Sequence, residues 1–169
     1  MYRNMFYFLF DEEEYKLFIK NVEKQFRGSY EYTMWLNSKV DRESCGATGM
    51  TKDDDGIDIE VHHYGITLWG WIEKILDCFH THEPELPVNT QYVCLILSDL
   101  HLSNCIPYVP LMHCIHRMIH NAGLDPVINK YPSIPDNVYH GNIDLANEII
   151  EYHIKRLNDI LNEDNWGFM

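Results

Sequence analysis

A chain of 169 residues, 46% hydrophobic and 13% aromatic, is long enough for one domain with a buried core and too rich in aromatics to be a disordered one. Thirteen Lys and Arg against 26 Asp and Glu leave a net charge of −13, which excludes the broad electrostatic hold on phosphates that basic nucleic-acid binders use. The five cysteines, Cys45, Cys78, Cys94, Cys105 and Cys114, are scattered without a C-x-x-C pair. That excludes a disulfide framework and a cysteine zinc knuckle, and it points to a reducing cytoplasm.

In chain order, the apolar run Met5 to Phe10 leads straight into Asp11, Glu12, Glu13 and Glu14, which predicts a strand rather than a signal peptide. No other apolar run approaches the roughly 18 residues of a membrane span, so no membrane partner is expected. In "EEEYKLFIKNVEKQF", Tyr15, Phe18, Ile19, Val22 and Phe26 recur at steps of three and four, the pattern of an amphipathic helix. Arg27-Gly28-Ser29 ends it. "SYEYTMWLNSKV" suits helix or strand, with Ser29 as an N-cap favouring helix. The turn-rich "SCGATGMTKDDDG" precedes "IDIEVHH", whose period-two alternation predicts a strand over Ile57 to His63. "TLWGWIEKILDCF" predicts a helix that Pro84 and Pro87 close, and "NTQYVCLILSDLHL" a second, capped by Asn89 or Thr90. "IPYVP" is short and extended. A further helix is expected from Pro110, a favourable first position, to Gly123. A loop marked by Pro126, Pro132 and Pro135 follows, then a last helix capped by Asn142 or Asp144.

Histidines carry the chemistry. Neighbours along a strand face opposite ways, so His62 and His63 can serve a metal and a substrate separately. His116 and His120, four apart on a helix, share a face and can hold one ion. Three imidazoles with open water positions make a catalytic rather than a structural metal site. Phosphodiester hydrolysis suits the set: a divalent ion at His62, His116 and His120 neutralises charge on the phosphate and leaving oxygen, and neutral His63 takes the proton of attacking water.

The pattern "IEVHHYGITL" followed by "VPLMHCIHRMIHNAG" resembles the HNH branch of the His-Me finger (ββα-metal) nucleases. Along most of the chain it also resembles small phage-encoded proteins with an "IE-x-HH-Y-P-F-T-L" strand end and a "VPL-x-x-x-x-H-x-x-x-H" helix. The resemblance implies His62, His116 and His120 as metal ligands and His63 as general base, in agreement with the spacing. It also implies an asparagine that fixes the base's ring through a backbone contact. The usual position holds Pro107, and Asn104 is the available substitute. Gly65 stands where the phage group has proline, and the paired cysteine knuckles of most HNH proteins are missing.

Other motifs have plainer readings. His113 is read as a solvated histidine, "HTH" (His80, His82) as exposed loop, and His101 as support for the fold near the site. Cys45 is read as packed, Asp53 to Asp55 as a solvated turn, and Trp69, Trp71, Ile75 and Phe79 as core. Arg117 and Lys130 are candidate phosphate contacts.

The expectation is therefore one α+β domain over 1–169 with a ββα-metal core, about 57–63 and 105–123, a helical insertion over 66–104 and flanking helices. It is expected to act as a metal-dependent DNA endonuclease in a bacterial host cytoplasm, to use one divalent ion (Mg, Mn, Zn or Ni) and to leave a 5'-phosphate. A recruiting protein is expected, given the acidic charge. Two alternatives are an acidic binding or inhibitory protein built on the same scaffold and a histidine-held zinc that only staples the fold. His63 is needed for turnover alone, the three ligands for a staple, and none of the four for a binder.

Overall fold

The computed structural model describes residues 11–53, 57–83, 86–122 and 138–164. Among these, six helices accompany a two-stranded antiparallel sheet: α1 (Glu12–Arg27), α2 (Tyr30–Ser38), β1 (Ile59–His63), α3 (Leu68–His82), α4 (Thr90–Leu102), β2 (Tyr108–Met112), α5 (His113–Ala122) and α6 (Ile143–Asp164). The expected strand Met5 to Phe10, and Gly123 as a helix stop, lie outside the described residues. The protein is mixed α and β and mostly helical.

Helix starts follow from side chains that satisfy the orphan amides of the first turn. Asp11 accepts from Glu13 N, Ser29 from Tyr32 N, Thr67 from Gly70 N and Asn89 from Tyr92 N. The Ser29 cap decides "SYEYTMWLNSKV" as helix. Asn142 accepts from Leu145 N at 3.0 Å and starts α6. The apolar stripe of α1 buries Phe18, Ile19, Val22 and Phe26 against α3 and α4, which contribute Trp71, Ile72, Ile75, Leu76, Ile96 and Leu97. Each fully buried aliphatic side chain of this kind stabilises the fold by roughly 1.5–3 kcal/mol.

The sheet is a partition. His62 stands opposite Val109 and His63 opposite Tyr108, and paired residues share a face. Val61, His63 and Tyr108 turn toward the helical core, whereas Glu60, His62, Val109 and Leu111 turn toward α5, where Val109 and Leu111 pack with Cys45 and Ile119. Helix α5 follows β2 without a connecting loop and packs on both strands.

Two boundaries differ from expectation. β1 begins at Ile59 rather than Ile57, and the region expected as a strand near Ile106 to Val109 with a helix from Pro110 is instead a strand to Met112 with the helix starting at His113. The cause is pairing. Ile59 faces Met112, and His113 N donates to Asp58 O at 2.9 Å, so the ladder outcompetes proline's preference for a first helical turn. Proline is tolerated because a two-stranded sheet has only edge strands, and the Pro110 carbonyl accepts from Gly46 N at 2.7 Å.

Candidate functional site

The C-terminal end of β1, the last turns of α1, the start of α3 and one face of α5 enclose a cleft of about 110 Å³ lined by Glu23, Arg27, His62, His63, Trp69, His116 and His120 among others. At ~10–15 Å³ of such space per water the cleft has room for several waters.

His62, from the strand face turned to α5, meets His116 and His120 at ring-centroid distances of 5.3 and 5.2 Å. One donor nitrogen from each of the three lies within 4.8 Å of the others. His116 Nε2 and His120 Nε2 stand 3.0 Å apart. Two nitrogens each ~2.1 Å from one tetrahedral ion would stand about 3.4 Å apart, so the His116–His120 pair is near the spacing for one cation, with the His62 donor within 4.8 Å of both.

Glu60 completes the arrangement. Its carboxylate accepts from His116 Nδ1 at 2.6 Å and from His113 Nδ1 at 2.8 Å. With Nδ1 directed at Glu60, His116 turns Nε2 toward His120, the orientation that a carboxylate partner imposes on an imidazole. Partial burial pushes the Glu60 carboxyl up, but the hydrogen bonds from His116 and His113 outweigh it and leave the group below its ordinary value. His113, expected to be solvated, is exposed and paired with Glu60.

His63 turns the other way. It is 6% exposed, stacks on Trp35 at 6.0 Å and places Nε2 3.1 Å from His101 Nε2. Burial first, then closeness to the second imidazole of His101 and the Arg27 charge, push its pKa well below the ordinary 6.5. Burial thus favours the neutral ring near pH 7. His101 is fully buried among Phe26, Tyr32 and Trp35, and burial holds it down to about 3.

The structure brings His62, His116 and His120 together with His63 on one cleft, and leaves Asn104 outside its lining. Asn104 ends α4 at φ 56°. Its N–H donates to His101 O and the next amide, Cys105, to Leu100 O, the paired bonds of a Schellman stop. Gly65 takes φ +76°, a conformation that proline cannot adopt. Among the other candidates, Arg117 is exposed on α5, Lys130 and two of the three aspartates (Asp54, Asp55) lie outside the described residues, and Cys45 is buried. Trp71 is core, whereas Trp69 is half-buried at the cleft.

Sequence reasoning missed Glu60, Glu23 and Arg27. For Glu60 a signal existed, since it lies two residues before His62 and therefore on the same strand face. Arg27 appeared only as a helix ending, and nothing local links it to histidines on β1.

Fold and site define a mostly helical protein with a small antiparallel sheet and a histidine cluster between that sheet and the helix that follows it. Residues 2–163 match the model of the bacteriophage G278-like virion protein family; the chain belongs to that family and is phage-encoded. Comparison with curated proteins and with solved structures finds no match. No helix among the described residues is long and apolar enough to cross a membrane.

Proposed function

We propose that this protein is a metal-dependent phosphodiesterase of the ββα-metal type that hydrolyses DNA in the host cytoplasm or in the course of particle assembly. The observation that carries the reading is the convergence of His62, His116 and His120 on one cleft with His63 and Arg27. The order β1, β2, α5, with two ligands on the helix and one on the first strand, supports it further.

His62, His116 and His120 hold the cation, and Glu60 keeps the His116 ring turned toward it. A divalent ion held there supplies charge neutralisation at the scissile phosphate and the departing 3' oxygen. His63, neutral and at the cleft wall, accepts the proton of the attacking water. Arg27, at the rim and paired with Glu23 at 3.4 Å, is placed to exchange that partner for a phosphate oxygen, where guanidinium binds well. The net charge of −13 gives no general affinity for DNA, so delivery falls to a protein partner.

The test is plasmid cleavage by chelated wild type and His63→Ala, with Mg²⁺, Mn²⁺, Ni²⁺ or Zn²⁺ restored in turn. Nicking by wild type that is lost in a folded His63→Ala supports the reading; no cleavage under any of the four metals sinks it. The family description as virion protein and the net charge of −13 favour a second reading, in which the scaffold binds a basic protein of phage or host and needs none of the four histidines to do so.

A further inference from the structure

The buried histidine behind His63 has a specific bonding pattern. The Leu97 carbonyl can only accept a hydrogen bond, and His101 Nδ1 lies 2.6 Å from it. His101 Nδ1 therefore carries the hydrogen. In a neutral ring this leaves His101 Nε2 with a lone pair, and burial in an aromatic box keeps the ring neutral. That lone pair faces His63 Nε2 at 3.1 Å. If His63 also presented a lone pair there, two acceptors would confront each other in a site sealed by Phe26, Tyr32 and Trp35. The arrangement is satisfied when His63 Nε2–H donates.

We propose that His101 is a positioning residue that fixes His63 in the Nε2–H tautomer, so that the Nδ1 lone pair is the one presented to the cleft. The inference rests on the reading of His63 as the base, and it goes beyond that reading by naming which nitrogen accepts the proton and what selects it. The relay runs from the Leu97 carbonyl through His101 to His63, two hydrogen bonds deep in the core. Trp35 stacks on His63 and meets His101 edge-on at 4.6 Å, which holds both rings in the planes the relay needs. Asn104 has its N–H on His101 O and its carbonyl on the Tyr139 hydroxyl, so the orienting role that the resemblance gave it falls to His101.

The tautomers are readable directly. In the full chain labelled with ¹⁵N-histidine, a long-range proton–nitrogen correlation at neutral pH distinguishes pyrrole-type from pyridine-type ring nitrogens, with the His63 signals assigned by their loss in His63→Ala. The expected pattern is pyrrole-type Nε2 with pyridine-type Nδ1 for His63, and the reverse for His101. His63 in the Nδ1–H form overturns the proposal. Two variants then test cause. His101→Phe keeps a ring in the box and removes the acceptor, and His63 is expected to become a mixture of tautomers. His101→Gln restores an acceptor and is expected to restore the single form. A folded His101→Phe with His63 unchanged overturns the proposal; if that variant does not fold, the wild-type and Gln spectra decide it. In cleavage assays His101→Phe should lower kcat about 10-fold or more with KM unchanged, and His101→Gln should recover most of it. An unchanged kcat in a variant whose tautomer has shifted counts against the positioning role. Wild type that cuts no DNA sinks the nuclease reading alone, because the spectrum still decides the pairing.

Discussion

Glu60 Oε2 accepts a hydrogen bond from His116 Nδ1 at 2.6 Å, and through it the carboxylate sets which nitrogen of His116 faces His120. Glu60→Gln keeps an acceptor but loses the charge. Metal affinity, measured by calorimetric titration with Zn²⁺ or Ni²⁺, is expected to fall about 10- to 100-fold, with little change in thermal midpoint because the Glu60 side chain is 36% exposed. Unchanged affinity would remove Glu60 from the site.

His113 and His120 separate the cluster from its surroundings. Both are exposed on α5, yet only His120 has a nitrogen among the three convergent donors. A cation at ~100 times its dissociation constant should stabilise the wild type by about 2.7 kcal/mol, seen as a raised thermal midpoint that a chelator reverses. His120→Ala should abolish the metal-induced rise, and His113→Ala should retain it. Equal behaviour of the two variants would mean that the cation sits elsewhere.

Acid should destabilise the fold through its buried histidines. Burial holds His101 down to about 3, against 6.5 for an ordinary histidine. Between those values the unfolded chain takes up a proton that the folded chain refuses. This contribution is fully present above about pH 6.5 and is lost as pH falls toward 3, by about 1.4 kcal/mol per pH unit for one such group. His63, pushed down chiefly by burial, acts in the same direction. Urea midpoints at about pH 7 and pH 5 should therefore differ less for His101→Phe than for wild type; equal differences would show that His101 is protonated in the fold.

Arg27 lines the cleft with its side chain 48% exposed, and its ion pair with Glu23 is long. Arg27→Ala is expected to raise KM for DNA about tenfold, the loss of one charge-assisted hydrogen bond, while kcat changes little. A fall in kcat with KM intact would instead assign Arg27 to the transition state.

Much of this was legible because it is periodic. The three- and four-residue steps of Tyr15, Phe18, Ile19, Val22 and Phe26 specify a helix and its buried side together, and the alternation of a strand is enough to send the adjacent His62 and His63 to opposite faces. His116 and His120 declare a shared face by spacing alone. What local pattern could not show was pairing across distance. Pro110 looks like a helix start until β1 is laid beside it, and His101 looks like a supporting residue until the chain brings it to His63 from 38 residues away. Asn104 was chosen by order along the chain, whereas its backbone is used to end a helix. The histidine trio is legible despite such errors because its two halves lie on continuous elements; the residues packed around the trio and around His63 do not share that advantage.

Glu60 and His116 are 56 residues apart in the chain, and between them run α3, α4 and half of the sheet. An ion gripped by His62 on one side and His116 and His120 on the other therefore buckles together the two ends of the segment that builds most of the core. By linkage such an ion would stabilise the folded segment to the extent that it binds the folded chain and not the unfolded one, and a cavity-forming change such as Ile72→Ala or Leu97→Ala would weaken apparent ion binding only once it lowers the folded fraction. In this chain metal supply would then act on the folded population of the segment between β1 and α5, without remodelling the fold.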